Sequence, residues 1–197
     1  MMNLDFDLFS IEKKYRIPQA GRVLVSEPFL PDENFRRSIV FLAEHNEKGT
    51  IGFVLNKPIK AHIHELVNDF PDVEFTVSLG GPVATDTLHY IHTLGPVIPD
   101  SKRVYRNIYW GGDYDAIKKM ISLGTIGTEQ IRFFVGYAGW GQGQLEREIS
   151  ENSWVATHIR PEMIMSGYQP EIWKEVLRSM GAKFRLWSGF PVNPGLN

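Results

Sequence analysis

The sequence contains no cysteine. This absence excludes disulfides, thiolate nucleophiles and cysteine-ligated zinc from the chemistry of the chain. It also favours the cytoplasm, where structural disulfides are rare. Long apolar runs are lacking too, because the longest have about five residues whereas a membrane-spanning helix needs about 20. We therefore expect no membrane association.

An excess of positive charge is also lacking. The chain has 21 Lys and Arg against 23 Asp and Glu, for a formal net charge of −2. A protein that grips a polyanion through its overall field needs a basic surface. Direct nucleic-acid binding is therefore not expected. The first residues, MMNLDFDLFSIEKK, mix acidic with apolar side chains and predict no signal peptide.

What is present is the composition of an ordinary globular protein. The chain has 197 residues, of which 43% are hydrophobic and 22% charged. This length supports one sizeable core. We expect an N-terminal appendage at residues 1–20, followed by a single domain at residues 21–197 that ends in a helix and an irregular tail.

The apolar pattern predicts strands with scattered helices. Buried runs at residues 39–43 and 51–55, separated by the polar residues 45–49, predict a β-hairpin. Further strands are predicted at residues 21–25, 76–79, 87–94, 107–110, 131–137 and 154–157. Amphipathic spacing predicts helices at residues 63–70, 114–121, 144–149 and 170–180. This arrangement is typical of an α+β domain.

A glycine-rich stretch, FFVGYAGWGQGQLEREI, joins a predicted strand to a predicted helix, where phosphate loops occur. Glu146 and Glu148 near the first helical turn would repel a phosphate. The lysine and hydroxyl residue of a P-loop do not follow Gly143. We interpret the stretch as a tight corner against which Trp140 packs, with Trp140 also a candidate to stack on a ligand.

The histidine spacing does not predict a metal site. On a helix, His62 and His64 would lie about 200° apart and would not share an ion. The metalloprotease motif needs a second histidine at position 68, which is Asn68. His89 and His92 point to opposite faces of a predicted strand. We expect neither a bound metal nor a cofactor.

Several segments occur in an order and spacing that resemble one protein family. They are "GRVLVSEPFLPDENFRRSIVFLAEH", which runs into "GTIGFVLNKP", then "LGGPV", and later "GYAGWGQGQLEREI". Together they are similar to the AlgH/YqgE family of bacterial proteins over about residues 17–160. The sequence departs from the usual pattern at Asp32-Glu33, where Asp-Pro is common, and at Gln142, where proline is frequent. Ala43 replaces a cysteine found in many members, so a function that needs that thiol is excluded.

The resemblance implies a single-domain α+β fold. In this fold a branched, mostly antiparallel β-sheet is rolled into a partial barrel, with helices packed outside. The resemblance implies no known activity. One family name suggests transcriptional regulation, but the sequence has no helix-turn-helix pattern and no basic face.

Three functional hypotheses remain open. The first is a non-enzymatic regulatory module that binds a small molecule or a protein. The second is an enzyme that uses His45 as a base with Glu44, Glu146 or Glu148 nearby. The third is a transcriptional regulator that acts directly or through a protein partner. The candidate ligand-binding residues are polar or glycine positions at predicted strand ends: Arg36, Arg37, His45, Asn56, Gly139, Trp140, Gly141 and Gln144.

Overall fold

The computed structural model describes residues 11–68, 70–167 and 169–192. These residues form ten strands and six α-helices. The strands are β1 (Val23–Ser26), β2 (Ile39–Asn46), β3 (Gly49–Val54), β4 (Pro58–His62), β5 (Thr76–Leu79), β6 (Val83–His92), β7 (Lys102–Tyr105), β8 (Ile108–Trp110), β9 (Ile131–Gly141) and β10 (Trp154–Thr157). The helices are α1 (Ile63–Leu66), α2 (Tyr114–Ser122), α3 (Gln144–Ser150), α4 (Pro161–Met165), α5 (Ile172–Ser179) and α6 (Ala182–Ser188).

The strands belong to one branched sheet. Its main path runs β10-β1-β2-β3-β9-β6-β8-β7. The branch lies on one edge of β9, whose first half pairs with β5 in parallel and whose second half pairs with β3 antiparallel. The remaining strand, β4, pairs antiparallel with β5. The predicted α+β class and the branched, mostly antiparallel sheet are confirmed.

The sheet curves without closing into a barrel. Its two end strands, β7 and β10, are not paired with each other in the described part of the chain. Side chains instead bring the two ends together, since the Tyr105 ring stacks on His158 at 5.4 Å between centroids. A Cβ added to Gly21 would lie 2.9 Å from the Cβ of Tyr105. The rolled sheet is therefore open, and its ends meet through side-chain packing.

The predicted hairpin is formed by β2 and β3. The register pairs Phe41 with Phe53 and His45 with Thr50, with an irregularity between Leu42 and Glu44. The five residues of the predicted apolar run are all buried, which confirms that both faces of β2 are covered: Ile39, Val40, Phe41, Leu42 and Ala43. This strand therefore lies at the centre of the core.

Helices cover the sheet from outside. The indole of Trp173 on α5 donates to the backbone oxygen of Ser26 at 3.0 Å and joins that helix to β1. Ile117 and Ile121 form the buried stripe of α2, and the side chain of Asp113 caps this helix by accepting from the Ala116 amide at 3.0 Å. No helix in residues 11–68, 70–167 and 169–192 is long and apolar enough to cross a bilayer.

The helix predictions need correction. The helix predicted for residues 63–70 is limited to α1, because Val67 already has extended backbone angles of φ −125° and ψ 117°. Helix α4 was not predicted. A second C-terminal helix, α6, was also not predicted. Gly181, with φ +118°, separates it from α5. The buried side chains of Phe184 and Trp187 hold α6 in the core.

Part of the predicted N-terminal appendage packs on the domain. Ile11 is 5% exposed, and Arg16 donates to the side-chain oxygen of Asn152 at 3.2 Å. Tyr15 makes an edge contact with Phe184 of α6, with 5.1 Å between ring centroids. Residues 1–10 and most of the predicted irregular tail, residues 193–197, lie outside the described residues. The boundary at residue 20 stays a prediction.

Candidate functional site

The predicted binding residues form two separate groups. Arg36, Arg37 and Asn56 lie where β2 begins, whereas His45 and residues 139–144 lie where it ends. A strand of this length spans about 23 Å. One small molecule therefore does not contact both groups.

The two arginines of the first group already have partners. Arg36 forms an ion pair with Glu33 at 2.6 Å. The Arg37 guanidinium donates to the backbone oxygen of Phe190 at 2.6 Å and lies 4.9 Å above the Trp173 ring. Burial lowers the pKa of Arg37. These contacts attach the C-terminal segment to the start of β2, so the pair is not an open clamp.

Asn56 stabilises the same corner. Its amide nitrogen donates to the backbone oxygen of Arg37 at 2.9 Å, and its side-chain oxygen accepts from the Ile39 amide at 3.0 Å. Arg37 has a left-handed backbone with φ +50°. The two hydrogen bonds hold this turn, and they occupy both polar ends of the side chain.

His45 lies in a line of three polar side chains. Its Nδ1 is 2.7 Å from Thr50 Oγ1, and its Nε2 is 3.6 Å from Glu146 Oε1. Glu44 is not part of this line, because it pairs with Lys102, whose hydrogen bond lowers the pKa of the carboxyl. The structure thus places a hydroxyl, an imidazole and a carboxylate in a row, each within reach of the next.

The glycine stretch is more regular than predicted. Gly139 and Gly141 belong to β9, and the corner itself is confined to Gly143, with φ +69°. The Gly141 amide donates to the side-chain oxygen of Gln144 at 3.0 Å. Gly139 and Trp140 line a surface groove of about 390 Å³. The prediction that Trp140 is available to stack on a ligand is corrected, since only 5% of this residue is exposed.

Trp140 is buried because its polar atom has a partner on α3. Its indole nitrogen and that of Trp154 both donate to Glu148 Oε2, at 2.9 and 2.8 Å. Glu148 Oε1 accepts from the Gln144 side chain at 2.9 Å. The ring of Phe35 stacks on Trp140 with 5.9 Å between centroids. Glu148 is therefore a structural acceptor and not a free carboxylate.

The predicted separation of His62 and His64 is wrong. His62 precedes α1 in an extended conformation, so the rings stack nearly parallel with centroids 5.8 Å apart. Nδ1 of His64 is 3.1 Å from the backbone oxygen of Val73, and its Nε2 is 3.5 Å from Asp72. The described residues contain no group of three His, Cys, Asp or Glu side chains placed to hold a metal.

His89 and His92 lie on strand β6, as predicted. His92 is fully buried, with Nε2 placed 3.0 Å from the Gly111 backbone oxygen and Nδ1 accepting from the Leu94 amide at 3.3 Å. This pattern corresponds to a neutral ring with its proton on Nε2. Burial lowers the pKa of both histidines.

A larger cavity lies elsewhere, between β5, the first half of β9 and α4. Its volume is about 650 Å³. Ligand sites in proteins have volumes of about 300–1,000 Å³. Its lining residues come from the three elements and the loops beside them: Glu74, Phe75, Thr76, Thr93, Asn107, Thr128, Glu129, Ile131, Arg132, Pro161, Glu162, Met165, Ser166 and Gly167.

Arg132 of β9 is the buried charge of this cavity and is only 6% exposed. Nη1 donates to the backbone oxygen of Ile164 at 2.6 Å, and Nη2 donates to that of Leu55 at 2.8 Å and to Ser78 Oγ at 3.4 Å. A guanidinium has five N–H groups. Three hydrogen bonds leave two of them, on Nε and Nη1, without a partner among the described residues.

No carboxylate of the described residues forms an ion pair with Arg132. Burial lowers the pKa of Arg132 to about 10. The side chain therefore still carries its charge at neutral pH. A buried charge without a counter-ion costs several kcal/mol. An anion in the cavity would offset part of this cost.

The rim of the cavity carries charge of the opposite sign. Glu74, Glu129 and Glu162 line it and are exposed. A shallow groove adjoins the cavity, shares Glu162 with it and is also lined by Arg103 and Arg106. The site thus combines a buried cation with an acidic rim.

Arg132 lies inside the strand predicted at residues 131–137 and is not among the predicted site residues. It is the one charged residue in the run Ile131–Tyr137. Arginine is seldom fully buried unless it is paired. A charge within an otherwise apolar strand was therefore the available signal.

Comparisons with known proteins agree with this fold. The family model described as DUF179, AlgH-like, matches residues 23–185. UPF0301 proteins of Bacteroides thetaiotaomicron and Bacteroides fragilis are 40% and 41% identical over 197 residues, which is 100% of this chain and of each relative. One from Chlorobium limicola is 39% identical over 177 residues, which is 90% of this chain and 95% of the relative.

Two solved structures share the architecture. A crystal structure of a Corynebacterium diphtheriae protein matches with a TM-score of 0.74 and 22% identity, over 88% of this chain and 93% of that one. The solution structure of the AlgH protein from Pseudomonas aeruginosa matches with a TM-score of 0.70 and 26% identity, over 92% and 97%. From the family model, the relatives and these structures together, the chain belongs to the AlgH-like family.

Proposed function

We propose that this protein is a non-catalytic regulatory module that binds a small molecule with a carboxylate or another anionic group in the cavity beside Arg132. The observation that carries this proposal is the buried guanidinium, which has no carboxylate partner among the described residues. A carboxylate can accept from an unused N–H group of this guanidinium. The absence of cysteine favours a site of action in the cytoplasm.

The surroundings of Arg132 support binding more than catalysis. Its two bonded Nη atoms are held by backbone oxygens, so the charge is fixed in place before a ligand arrives. Preorganised donors lower the cost of ordering a site on binding. No histidine is among the residues that line the cavity. Such a cavity fits a sensor of a metabolite.

The test is a thermal-shift and calorimetric screen of the purified protein. The probes are small carboxylates, inorganic phosphate and sulfate, with the corresponding neutral amides as matched controls. We expect saturable binding of carboxylates and none of the amides. A probe at 100 times its Kd raises the free energy of unfolding by about 2.7 kcal/mol. No stabilisation by any anion would contradict the proposal.

Two variants separate binding from folding. Arg132→Gln removes the charge and should abolish binding. Gly167→Leu keeps Arg132 and adds a side chain at the cavity wall, where a Cβ comes no closer than 4.0 Å to a neighbouring atom. We expect this variant to fold and to bind the probes at least tenfold more weakly. Wild-type affinity in Gly167→Leu would also contradict the proposal.

The line formed by Thr50, His45 and Glu146 favours a second candidate function, a hydroxyl-dependent hydrolase. The hydroxyl–imidazole distance of 2.7 Å is within reach of a general base. Thr50 and His45 are also a directly opposed cross-strand pair, in which such a contact is commonly structural. Turnover of an activated ester by the wild type and its loss in His45→Asn would support this function. Equal rates would discard it.

A further inference from the structure

We infer that the molecule held beside Arg132 is a small zwitterion with an apolar portion, of the amino-acid type. Its carboxylate would contact Arg132, and its ammonium group would face the acidic rim of the cavity. This inference rests on the proposed function, because it names the ligand class of the same site.

The rim carboxylates are available for a ligand. Glu74, Glu129 and Glu162 take part in no ion pair of the described residues. By contrast, the exposed carboxylates of Glu33 and Glu171 are paired with Arg36 and Lys174. Three unpaired negative charges around one opening disfavour a simple anion, because like charges repel across the rim. A positive charge on the ligand would offset this repulsion, because the glutamates attract it.

The burial of Arg132 and the exposure of the glutamates indicate which end of the ligand each of them contacts. Arg132 is 6% exposed, so its charge is poorly screened and attracts a carboxylate strongly. The three glutamates are exposed, and an ammonium group beside them keeps part of its hydration. The carboxylate therefore lies deep in the cavity beside Arg132, and the ammonium group lies near the opening.

Part of the remaining lining is apolar. Phe75, Ile131 and Met165 line the cavity and are at most 5% exposed. Burying an apolar ligand group against such side chains is favourable by about 25 cal/mol per Å². The volume of about 650 Å³ exceeds what a carboxylate and an amine alone would fill. We therefore expect an apolar side chain on the ligand.

The adjoining groove offers the main competing ligand class, a dianion. Arg103 and Arg106 line the groove and are exposed. Their Nε groups are engaged within their own turn, since Arg103 donates to the Arg106 backbone oxygen at 2.7 Å and Arg106 donates to Tyr105 Oη at 3.1 Å. Exposed charges are more strongly screened than Arg132. Arg103 and Arg106 therefore attract a second carboxylate only weakly, which favours a zwitterion over a dianion. The test includes a dianion to check this.

The experiment is isothermal titration calorimetry with the full chain and matched probe sets. One set is L-leucine, isocaproate and isoamylamine, and the other is L-phenylalanine, hydrocinnamate and phenethylamine. Within each set the acid lacks only the amine and the amine lacks only the carboxylate. Succinate serves as the dianion. We expect at least one amino acid to bind about tenfold or more tightly than either of its matched probes.

Rim variants test the glutamates without disturbing the core. In the double variant Glu74→Gln/Glu129→Gln we expect the amino acid to bind more weakly and its deaminated acid more tightly. The control is Glu151→Gln, an exposed glutamate at the end of α3 that does not line the cavity. Its affinities should equal those of the wild type.

The other outcomes of these experiments would contradict the zwitterion inference alone, or the proposed function as well. If the deaminated acids bind as tightly as the amino acids, the zwitterion inference is wrong while the proposed anion site stands. Tighter binding of succinate, or unchanged amino-acid affinity in the rim variant, also overturns the inference. If no carboxylate binds at all, both the inference and the proposed function are wrong.

Discussion

The guanidinium of Arg132 donates to the backbone oxygen of Ile164 at 2.6 Å. This contact joins β9, the strand at which the sheet branches, to α4. A second hydrogen bond from Arg132 reaches the backbone oxygen of Leu55, just beyond β3. One side chain thus connects three parts of the fold and also supplies the buried charge of the cavity.

Replacing this side chain should therefore destabilise the protein. In Arg132→Met two backbone oxygens lose their charged donors, and each unsatisfied buried group costs about 1–3 kcal/mol. Relief of the buried charge offsets part of the loss. We expect the free energy of unfolding in urea to fall by about 2–4 kcal/mol. Arg103→Met, at an exposed position, should change it by less than about 0.5 kcal/mol, and equal effects would show that the Arg132 contacts do not matter.

Glu148 should be needed for the packing of Trp140 and Trp154. Glu148→Ala leaves two buried indole N–H groups without an acceptor and should lower the free energy of unfolding by about 2–4 kcal/mol. Glu148→Gln keeps one oxygen acceptor and should cost less. Urea denaturation followed by tryptophan fluorescence measures both. Glu151→Ala on the same helix is the control, and a loss as large as that of Glu148→Ala would contradict the assignment.

Stability should fall as the pH drops below about 6.5. Burial lowers the pKa of His92 from its ordinary value of 6.5, and burial is also the main cause of the lowered pKa of His89 and His158. The unfolded chain therefore binds protons before the folded protein does as the pH decreases through this window. The contribution of these histidines to the free energy of unfolding is therefore present above about pH 6.5 and is lost progressively as the pH falls below it.

His92→Gln tests this dependence directly. Urea unfolding of the wild type and the variant would be compared between about pH 5.5 and 7.5, above the ordinary range of carboxylates. The slope of the free energy of unfolding against pH should be smaller in the variant. An identical slope would show that His92 does not contribute.

Two glycines should respond differently to alanine. Gly143 has φ +69° and open space around it, so Gly143→Ala adds only backbone strain of about 1–2 kcal/mol. Gly49 has φ +142°, and its added Cβ would collide with the backbone oxygen of Trp140 on the paired strand. We expect Gly49→Ala to cost at least about twice as much in thermal or urea unfolding. Equal losses would mean that β3 and β9 do not approach as closely as described.

Local features of the fold could be predicted from the sequence. The β2–β3 hairpin has two apolar runs and a short polar turn, and the α2 helix has an Asp cap and an apolar stripe. The parallel pairing of β5 with β9 joins residues such as Val77 and Phe133, which are far apart in the chain and leave no local signal. The apolar periodicity predicted that the first helix continues to residue 70, whereas it ends at Leu66. Periodicity carries no information on tertiary contacts.

The candidate site was less predictable than the fold. Arg37 and Asn56 were predicted to bind a ligand because they are polar and lie at strand ends. In the structure, both side chains make structural contacts instead. Trp140 between glycines suggested exposure, but its acceptor on α3 allows burial. Only the tertiary structure shows that Arg132 is buried beside a cavity and has no counter-ion among the described residues. Apart from the stacking role of Trp140, the ligand-binding roles predicted for the two strand-end groups stay predictions, as does the prediction against direct nucleic-acid binding.

The most direct measurement of the central claim is NMR of the arginine side chains in the wild-type protein. The Nε–H resonance of Arg132, assigned by its loss in Arg132→Lys, would be followed during titration with L-leucine, L-phenylalanine and their deaminated acids. We predict a saturable shift of this resonance, with those of Arg36 and Arg37 unchanged. An Arg132 resonance that stays in place at saturating probe, or a shift confined to Arg36 and Arg37, would contradict the account.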